Sequence, residues 1–282
     1  MKSNVGYTIN VHGRLLDLSR PQVMGILNST PDSFYAGSRV QTEREIAERA
    51  RQIVEQGGSI IDIGAFSTRP GADEIDKKEE RLRISRALSI VRKECPDAVI
   101  SVDTFRPDVA RMAVEEYGAD IINDVSEGGV STIADKGIEA ADESVPEIFK
   151  TVSHLRVPYI LMSVRANLHD TLMTFSKKVQ QLRDLGQKDI ILDPGFGFGK
   201  TLEENYQLLD SLEKLNVFDL PLLVGASRKR MIYQLLGTTA DEALNGTTVV
   251  NTIALMKGAS ILRVHDVREA VEAAKIVKRS FK

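Results

Sequence analysis

The sequence predicts an α/β fold, a (β/α)8 TIM barrel preceded by a short N-terminal β-hairpin. Three observations carry that prediction. Eight short apolar runs recur, at 23–27, 60–63, 99–102, 121–122, 159–162, 190–192, 222–224 and 261–264. Amphipathic stretches separate them. Polar or charged residues close each run: Asn28, Asp62, Asp103, Asn123 with Asp124, Ser163 with Arg165, Asp193, Ser227 with Arg228 and Lys229, and Arg263 with His265. Eight strand–helix units are the count for a closed barrel. An open doubly wound sheet shows fewer strands and one dominant glycine fingerprint. No Pro/Ser-rich linker divides the chain, so residues 1–282 read as one domain, with 1–20 as a hairpin extension.

Taken in order, residues 7–16 read as a hairpin turning at His12-Gly13-Arg14, a plug or lid outside the barrel. Helical faces follow: Ile46, Ala50, Ile53 and Val54; Ile84, Ala87, Leu88 and Val91; Val109, Ala113, Val114 and Tyr117. The pattern continues with Val145, Ile148, Phe149, Val152 and Leu155, then Leu172, Phe175, Val179 and Leu182. Leu202, Tyr206, Leu209 and Leu212 make another face, and Val267, Ala270, Val271, Ala274 and Val277 the last. Stops fall at Gly57-Gly58, Gly118 and Gly186, and a start at Thr104 with Pro107. Residues 28–39 and 65–74, rich in Gly, Ser, Pro and Asp, read as mouth loops able to close over a ligand.

Bulk composition excludes several classes. A net charge of −3 gives no basic excess for nucleic acid. No apolar run is long enough to span a bilayer, and residues 1–14 lack a signal-peptide core. The single cysteine, Cys95, sits before Pro96 near a helix end and makes no internal disulfide. A reducing cytoplasm fits.

The central stretch reads Ile190-Ile191-Leu192-Asp193-Pro194-Gly195-Phe196-Gly197-Phe198-Gly199-Lys200-Thr201. It is a buried strand, a tight loop, then a helix. A nucleotide phosphate loop needs glycine five residues before Gly199, and Pro194 stands there. Alternating Gly and Phe instead suggest a backbone bending closely around something flat, with rings to pack on it. In a barrel, the strand ends meet at one mouth. There Asp103, Asp193 and Asn123 offer planar acceptors suited to an amidine-like edge. Lys229, Arg263 and His265 suit phosphate or a developing anion. Asn28 adds a neutral oxygen for Mg²⁺, which keeps most of its waters and bridges substrate phosphates. A flat polar heterocycle carrying a phosphate is the guest these groups fit.

Eight stretches, in order, resemble the dihydropteroate synthase family. They are Met24-Gly25-Ile26-Leu27-Asn28-Ser29-Thr30-Pro31-Asp32-Ser33-Phe34, Asp62-Ile63-Gly64, Ser67-Thr68-Arg69-Pro70-Gly71, and Ser101-Val102-Asp103-Thr104. The others are Ile122-Asn123-Asp124-Val125, Asp193 through Lys200, Ser227-Arg228-Lys229, and Arg263-Val264-His265-Asp266. The resemblance implies condensation of 4-aminobenzoate with a hydroxymethyl-dihydropterin diphosphate in folate synthesis. It implies a pterin held by Asp103, Asn123, Asp193, Lys229, Arg263 and Met162, with Lys229, Arg263, Asp103 and Asp193 central to catalysis. Asn28, Arg263 and His265 would hold the pyrophosphate, with Asn28 at the Mg²⁺ cofactor. Thr68, Arg69, Pro70, Phe198 and Ser227 would frame the aminobenzoate. Small-molecule partners and a homodimer are likewise implied.

The chain departs from the family pattern at three places. Ala36 stands where a second aspartate is usual, Leu161-Met162-Ser163-Val164-Arg165-Ala166 replaces a commoner Leu-Met-His-Met-Arg-Gly, and Ala65-Phe66 replaces Gly-Glu. Residues 127–144 lengthen the fourth connection with an acidic, Ala-rich helical segment. Ala36 and the changed fifth loop define an alternative, a pterin-binding relative without the synthase step. Methyl transfer from a reduced pterin to a corrinoid would need a cobalamin-protein partner, to which nothing in the sequence points.

Overall fold

The computed structural model describes residues 6–29, 36–65, 76–129 and 144–280, with side chains in the second stretch from residue 42 onward. Strands β1 (Thr8–Val11) and β2 (Arg14–Asp17) form the antiparallel hairpin. His12 (φ 48°) and Gly13 (φ 79°) both take the left-handed conformation that a two-residue hairpin turn needs. Eight parallel strands follow: β3 (Gln22–Asn28), β4 (Ile60–Gly64), β5 (Val99–Asp103), β6 (Ile121–Asp124), β7 (Tyr159–Met162), β8 (Ile190–Asp193), β9 (Leu222–Val224) and β10 (Ala259–Val264). They pair in chain order, and β10 closes the barrel on β3. All eight apolar runs are therefore strands of one TIM barrel.

The helices are α1 (Ala36–Glu55), α2 (Lys77–Glu94), α3 (Pro107–Glu115), α4 (Glu147–Leu155), α5 (Leu168–Asp184), α6 (Leu202–Asp210), α7 (Arg230–Leu236), α8 (Leu244–Met256) and α9 (Val267–Ser280). Local chemistry sets several starts. Asp76 accepts from the Glu79 N–H, Asn167 from the Asp170 N–H, and Thr201 with Glu204 forms a reciprocal capping box. Cys95 caps the end of α2, buried.

Four readings need correction. The first mouth loop is shorter than expected, because residues 36–39 already belong to α1. Val54 is 44% exposed and leaves the apolar face assigned to it. Leu212 is buried but begins a separate 3-10 turn, Leu212–Phe218. Helix α8 was not foreseen: Val250, Ala254 and Leu255 are buried while Val249 and Met256 are exposed, so apolar residues on opposite faces blur its period.

Strand parity divides the core in two. Residues 23, 27, 61, 63, 100, 102, 122, 159, 161, 190, 192, 222, 224, 262 and 264 face the helices. Met24, Ile60, Val99, Ile121, Ile160, Ile191, Leu223 and Ile261 fill the barrel interior, one from each strand. Ile9, Val11 and Leu18 pack against that interior layer, so the hairpin plugs the barrel's N-terminal end. His12 Nδ1 lies 2.7 Å from Asp120 Oδ1, pinning the turn there. The hairpin is a plug at the end opposite the mouth, not a lid.

Candidate functional site

Two residues further along each strand, the inward position changes character. Ile26, Asp62, Ser101, Asn123, Met162, Asp193, Gly225 and Arg263 succeed the apolar layer, and Asp103 and His265 succeed Ser101 and Arg263. Side chains alternate along a strand, so one parity carries both the oily floor and the polar tier above it. Asp103 stands opposite Asn123, and Met162 opposite Asp193, across neighbouring strands.

This tier is a connected charge cluster. Arg263 donates from Nε to Asp62 Oδ2 at 2.7 Å and from Nη2 to Asp103 Oδ2 at 2.8 Å. Asn123 Nδ2 approaches Asp62 Oδ2 at 3.3 Å, while the buried Asn123 Oδ1 and Ser101 Oγ have no partner among the described residues. Asp193 Oδ1 accepts from Gly195 N at 2.8 Å. Lys229 Nζ donates to the Phe196 carbonyl at 2.5 Å and sits 4.4 Å from the Phe198 ring centroid.

Burial shapes the protonation of this cluster. It pushes Asp103 up to about 7, with Arg263 opposing and Asp62 adding to the rise. It pushes Lys229 down to about 7, against the pull of Asp193. Asp193 is raised by burial, with Lys229 opposing. Burial disfavours charge on Arg263, but Asp62 and Asp103 outweigh it and raise its pKa. Asp103, Asp193, Lys229 and Arg263 therefore share one neighbourhood, as the strand-end pattern required.

A cavity of about 1140 Å³ opens at the mouth; Asn28, Phe198, Ser227, Lys229, Arg263 and His265 line it. That volume holds a bicyclic ring and a charged tail. Asp103, Asn123, Asp193 and Met162 do not line it. They are buried, joined to the wall through Arg263 and through the cluster of Val125, Met162 and Phe198. Ser227 Oγ accepts from the His265 N–H at 3.2 Å. Thr68, Arg69, Pro70, Phe66 and residues 130–143 lie outside the described residues.

Not every strand-end group points into the bowl. Asp124 faces outward, accepting from Tyr159 Oη and from Ser126 and Gly128 backbone N–H groups. Arg228 lines the cavity but commits its guanidinium to a fork with Asp266, and Arg165 forms one with Glu127. Phe196 is in the outer core, leaving Phe198 as the mouth ring of the glycine-rich loop. The glycines serve neighbouring chain segments. A Cβ on Gly195 would lie 1.9 Å from the Ser163 carbonyl oxygen, and one on Gly199 would lie 2.9 Å from that of Val164. Asp62 was missed as a site residue; its inward parity with Arg263 was the available signal. Lys200, whose Nζ bridges the Gly195 and Phe198 carbonyls at 2.9 and 3.1 Å, had no such signal.

Among the described residues, no group of three or more His, Cys, Asp or Glu side chains is placed to hold a metal. The donor set fits only a cation that keeps water and takes oxygens from its substrate. One exposed amide, Asn28, at a cationic mouth meets that requirement for Mg²⁺.

Comparison with known proteins matches this geometry. Residues 24–265 match the pterin binding enzyme family. The dihydropteroate synthase of Escherichia coli strain K12 is 39% identical over 275 residues, covering 95% of each chain. The structure of Xanthomonas albilineans dihydropteroate synthase with 4-aminobenzoic acid superposes with a TM-score of 0.84 at 32% identity, covering 98% of each chain. That of Yersinia pestis dihydropteroate synthase with a sulfonamide drug gives 0.81 at 36% identity, over 97% of this chain and 99% of that one. Matching in sequence along nearly its whole length and in the closure of its barrel, the chain belongs to the dihydropteroate synthase family of pterin-binding enzymes.

Proposed function

We propose that the mouth condenses 4-aminobenzoate with (7,8-dihydropterin-6-yl)methyl diphosphate, giving 7,8-dihydropteroate and pyrophosphate. One observation carries this reading at the level of the site: acceptors and cations from β5, β6, β8 and β10 and the β9 connection form one connected cluster at the barrel mouth, in which the buried Asn123 Oδ1 has no donor among the described residues. Asp103, Asn123 and Asp193 accept and donate along the pterin's polar edge, with Lys229 beside them and Met162 packing on the ring. Arg263 gives up Asp103 to the pterin, keeps Asp62, and lies against the ring face.

The methylene C–O bond breaks first, its electron pair leaving with the pyrophosphate. The remaining cation is delocalised over the pterin. The amine lone pair of 4-aminobenzoate then forms the C–N bond, and a proton leaves that nitrogen. No protein nucleophile is required; the chain's contribution is charge stabilisation and positioning. Arg263, His265 and Asn28 hold the departing pyrophosphate. Asn28 would hold Mg²⁺, which when bound supplies charge neutralisation to the diphosphate. Phe198 and Ser227, with Thr68, Arg69 and Pro70, frame the aminobenzoate, where sulfonamides compete.

Pyrophosphate release, measured with each substrate and Mg²⁺ omitted in turn, tests this reading. Release is expected only from the complete mixture; none from folded protein would sink it. No observation favours the binding-only alternative. A cytoplasmic homodimer completes the proposal. Exposed Leu235, Leu236, Val249 and Met256 on α7 and α8 offer apolar contact area, and light scattering checks the mass. Among the described residues, no helix is long and apolar enough to cross a membrane.

A further inference from the structure

Glu127, just after β6, is costly in two respects. It is a non-glycine residue in the left-handed conformation (φ 59°), and its carboxylate is completely buried. In that conformation the Cβ crowds the following carbonyl oxygen. A buried carboxylate is tolerated only when paired and hydrogen-bonded. Here every acceptor is used, and every partner lies on the next strand–helix unit. Oε1 accepts from Arg165 Nε at 2.9 Å and Nη2 at 2.7 Å, and Oε2 from the Val164 N–H at 2.8 Å. The Glu127 carbonyl accepts from the buried Lys178 Nζ at 2.5 Å.

The segment so held backs one wall of the bowl, behind Phe198, which lines it. Val164 packs against the cluster formed by Val125, Met162 and Phe198. Behind it, the Ser163 and Val164 carbonyls abut Gly195 and Gly199 too closely to admit a Cβ on either. Lys200 Nζ ties the Gly195 and Phe198 carbonyls together at 2.9 and 3.1 Å and reaches the Ser163 carbonyl at 3.5 Å. The connection after β7 is thus wedged between Glu127 on one side and the glycine-rich loop on the other. Movement of Val164 would carry Met162 and Phe198 with it.

We propose that Glu127, through its fork with Arg165 and its bond to the Val164 amide, is a positioning residue that fixes the Met162–Val164 segment backing the wall against which the pterin packs. This rests on the synthase reading of the same bowl. Glu127 touches no substrate. It acts by holding a wall in place, so its loss weakens pterin binding in ground and transition states alike.

The test is steady-state pyrophosphate release by the full chain, with the pterin diphosphate and 4-aminobenzoate each varied. Glu127→Ala is expected to raise the pterin KM by about tenfold or more, with kcat within about twofold. Glu127→Gln keeps an acceptor for Val164 and rescues part of the loss. Should the alanine variant fail to fold, Glu127→Gln and Arg165→Lys carry the test, with an expected rise of about fivefold from one weakened hydrogen bond. A folded variant with wild-type KM values and only reduced thermal stability overturns the proposal. Wild-type protein that releases no pyrophosphate overturns the synthase reading, and this proposal with it. Wild-type activity with an unmoved pterin KM in the variants overturns this proposal alone.

Discussion

Asp103 and Lys229 give the ligand-free protein a signed dependence on pH. Asp103 is raised from 3.8 to about 7, so between those values the folded chain holds a proton that the unfolded chain has lost. Its contribution to stability is full below about 4 and is lost as pH rises through 7. Lys229 is lowered from 10.5 to about 7, so between 7 and 10.5 the unfolded chain holds the additional proton, and stability rises with pH there. The two groups together place a minimum near neutrality. Urea midpoints at pH 5, 7 and 9 should show the wild type losing ground to Asp103→Asn from pH 5 to 7, and gaining on Lys229→Met from 7 to 9. Parallel curves would refute both shifts. Asp62 tests the same cluster differently. Asp62→Ala leaves the Arg263 guanidinium, only 11% exposed, with Asp103 as its remaining ion-pair partner, and should cost about 3 kcal/mol in urea melts. These residues were legible to different degrees. Arg263 and Asp103 announced themselves as charges at strand ends. Asp62 was visible there too, but its pairing with Arg263, 201 positions away, is a consequence of barrel closure.

At the scale of elements, the glycine-rich loop shows why identical residues are not equivalent. Gly195 and Gly118 both have positive φ, 70° and 65°. Around Gly118 nothing lies within 4 Å of an added Cβ, whereas at Gly195 the Ser163 carbonyl oxygen lies 1.9 Å away. Gly118→Ala should therefore cost only the conformational ~1–2 kcal/mol. Gly195→Ala adds a backbone collision, roughly 1–3 kcal/mol more, and thermal melts of the two variants read the difference. The hairpin makes a second case. Ile9 is 2% exposed within the cluster that fills the barrel floor, so Ile9→Ala should destabilise the whole chain by roughly 2–4 kcal/mol. A hairpin independent of the barrel would leave the global midpoint unmoved. The sequence showed a hairpin turning at His12-Gly13-Arg14, but the face it covers depends on where the barrel's open end lies.

The whole molecule couples site and stability, because the bowl draws its groups from strands around the ring. A ligand that bridges them should stabilise the entire barrel: about 2.7 kcal/mol at one hundred times its dissociation constant. Thermal melts with and without a pterin diphosphate check this. The upward shift should vanish in Asp193→Asn, which removes the buried charge and replaces one acceptor oxygen with an N–H donor. A shift equal in both proteins would place the ligand elsewhere.

The sequence by itself determined the barrel, through eight short apolar runs separated by amphipathic stretches, and the polar tier, through the residues that end them. Local rules sufficed because parity and helical period act over a few residues. Only the tertiary structure decided which polar ends share the bowl. Asp103 and Arg263 meet across the closed ring, while Asp124, Arg165 and Arg228 turn to partners outside it. Likewise, the glycines of the central loop were plain in the sequence, but their need is set by the Ser163 and Val164 carbonyls of a neighbouring connection. Close approach of two backbones is a property of packing, and no local pattern of residues encodes which segment will come near.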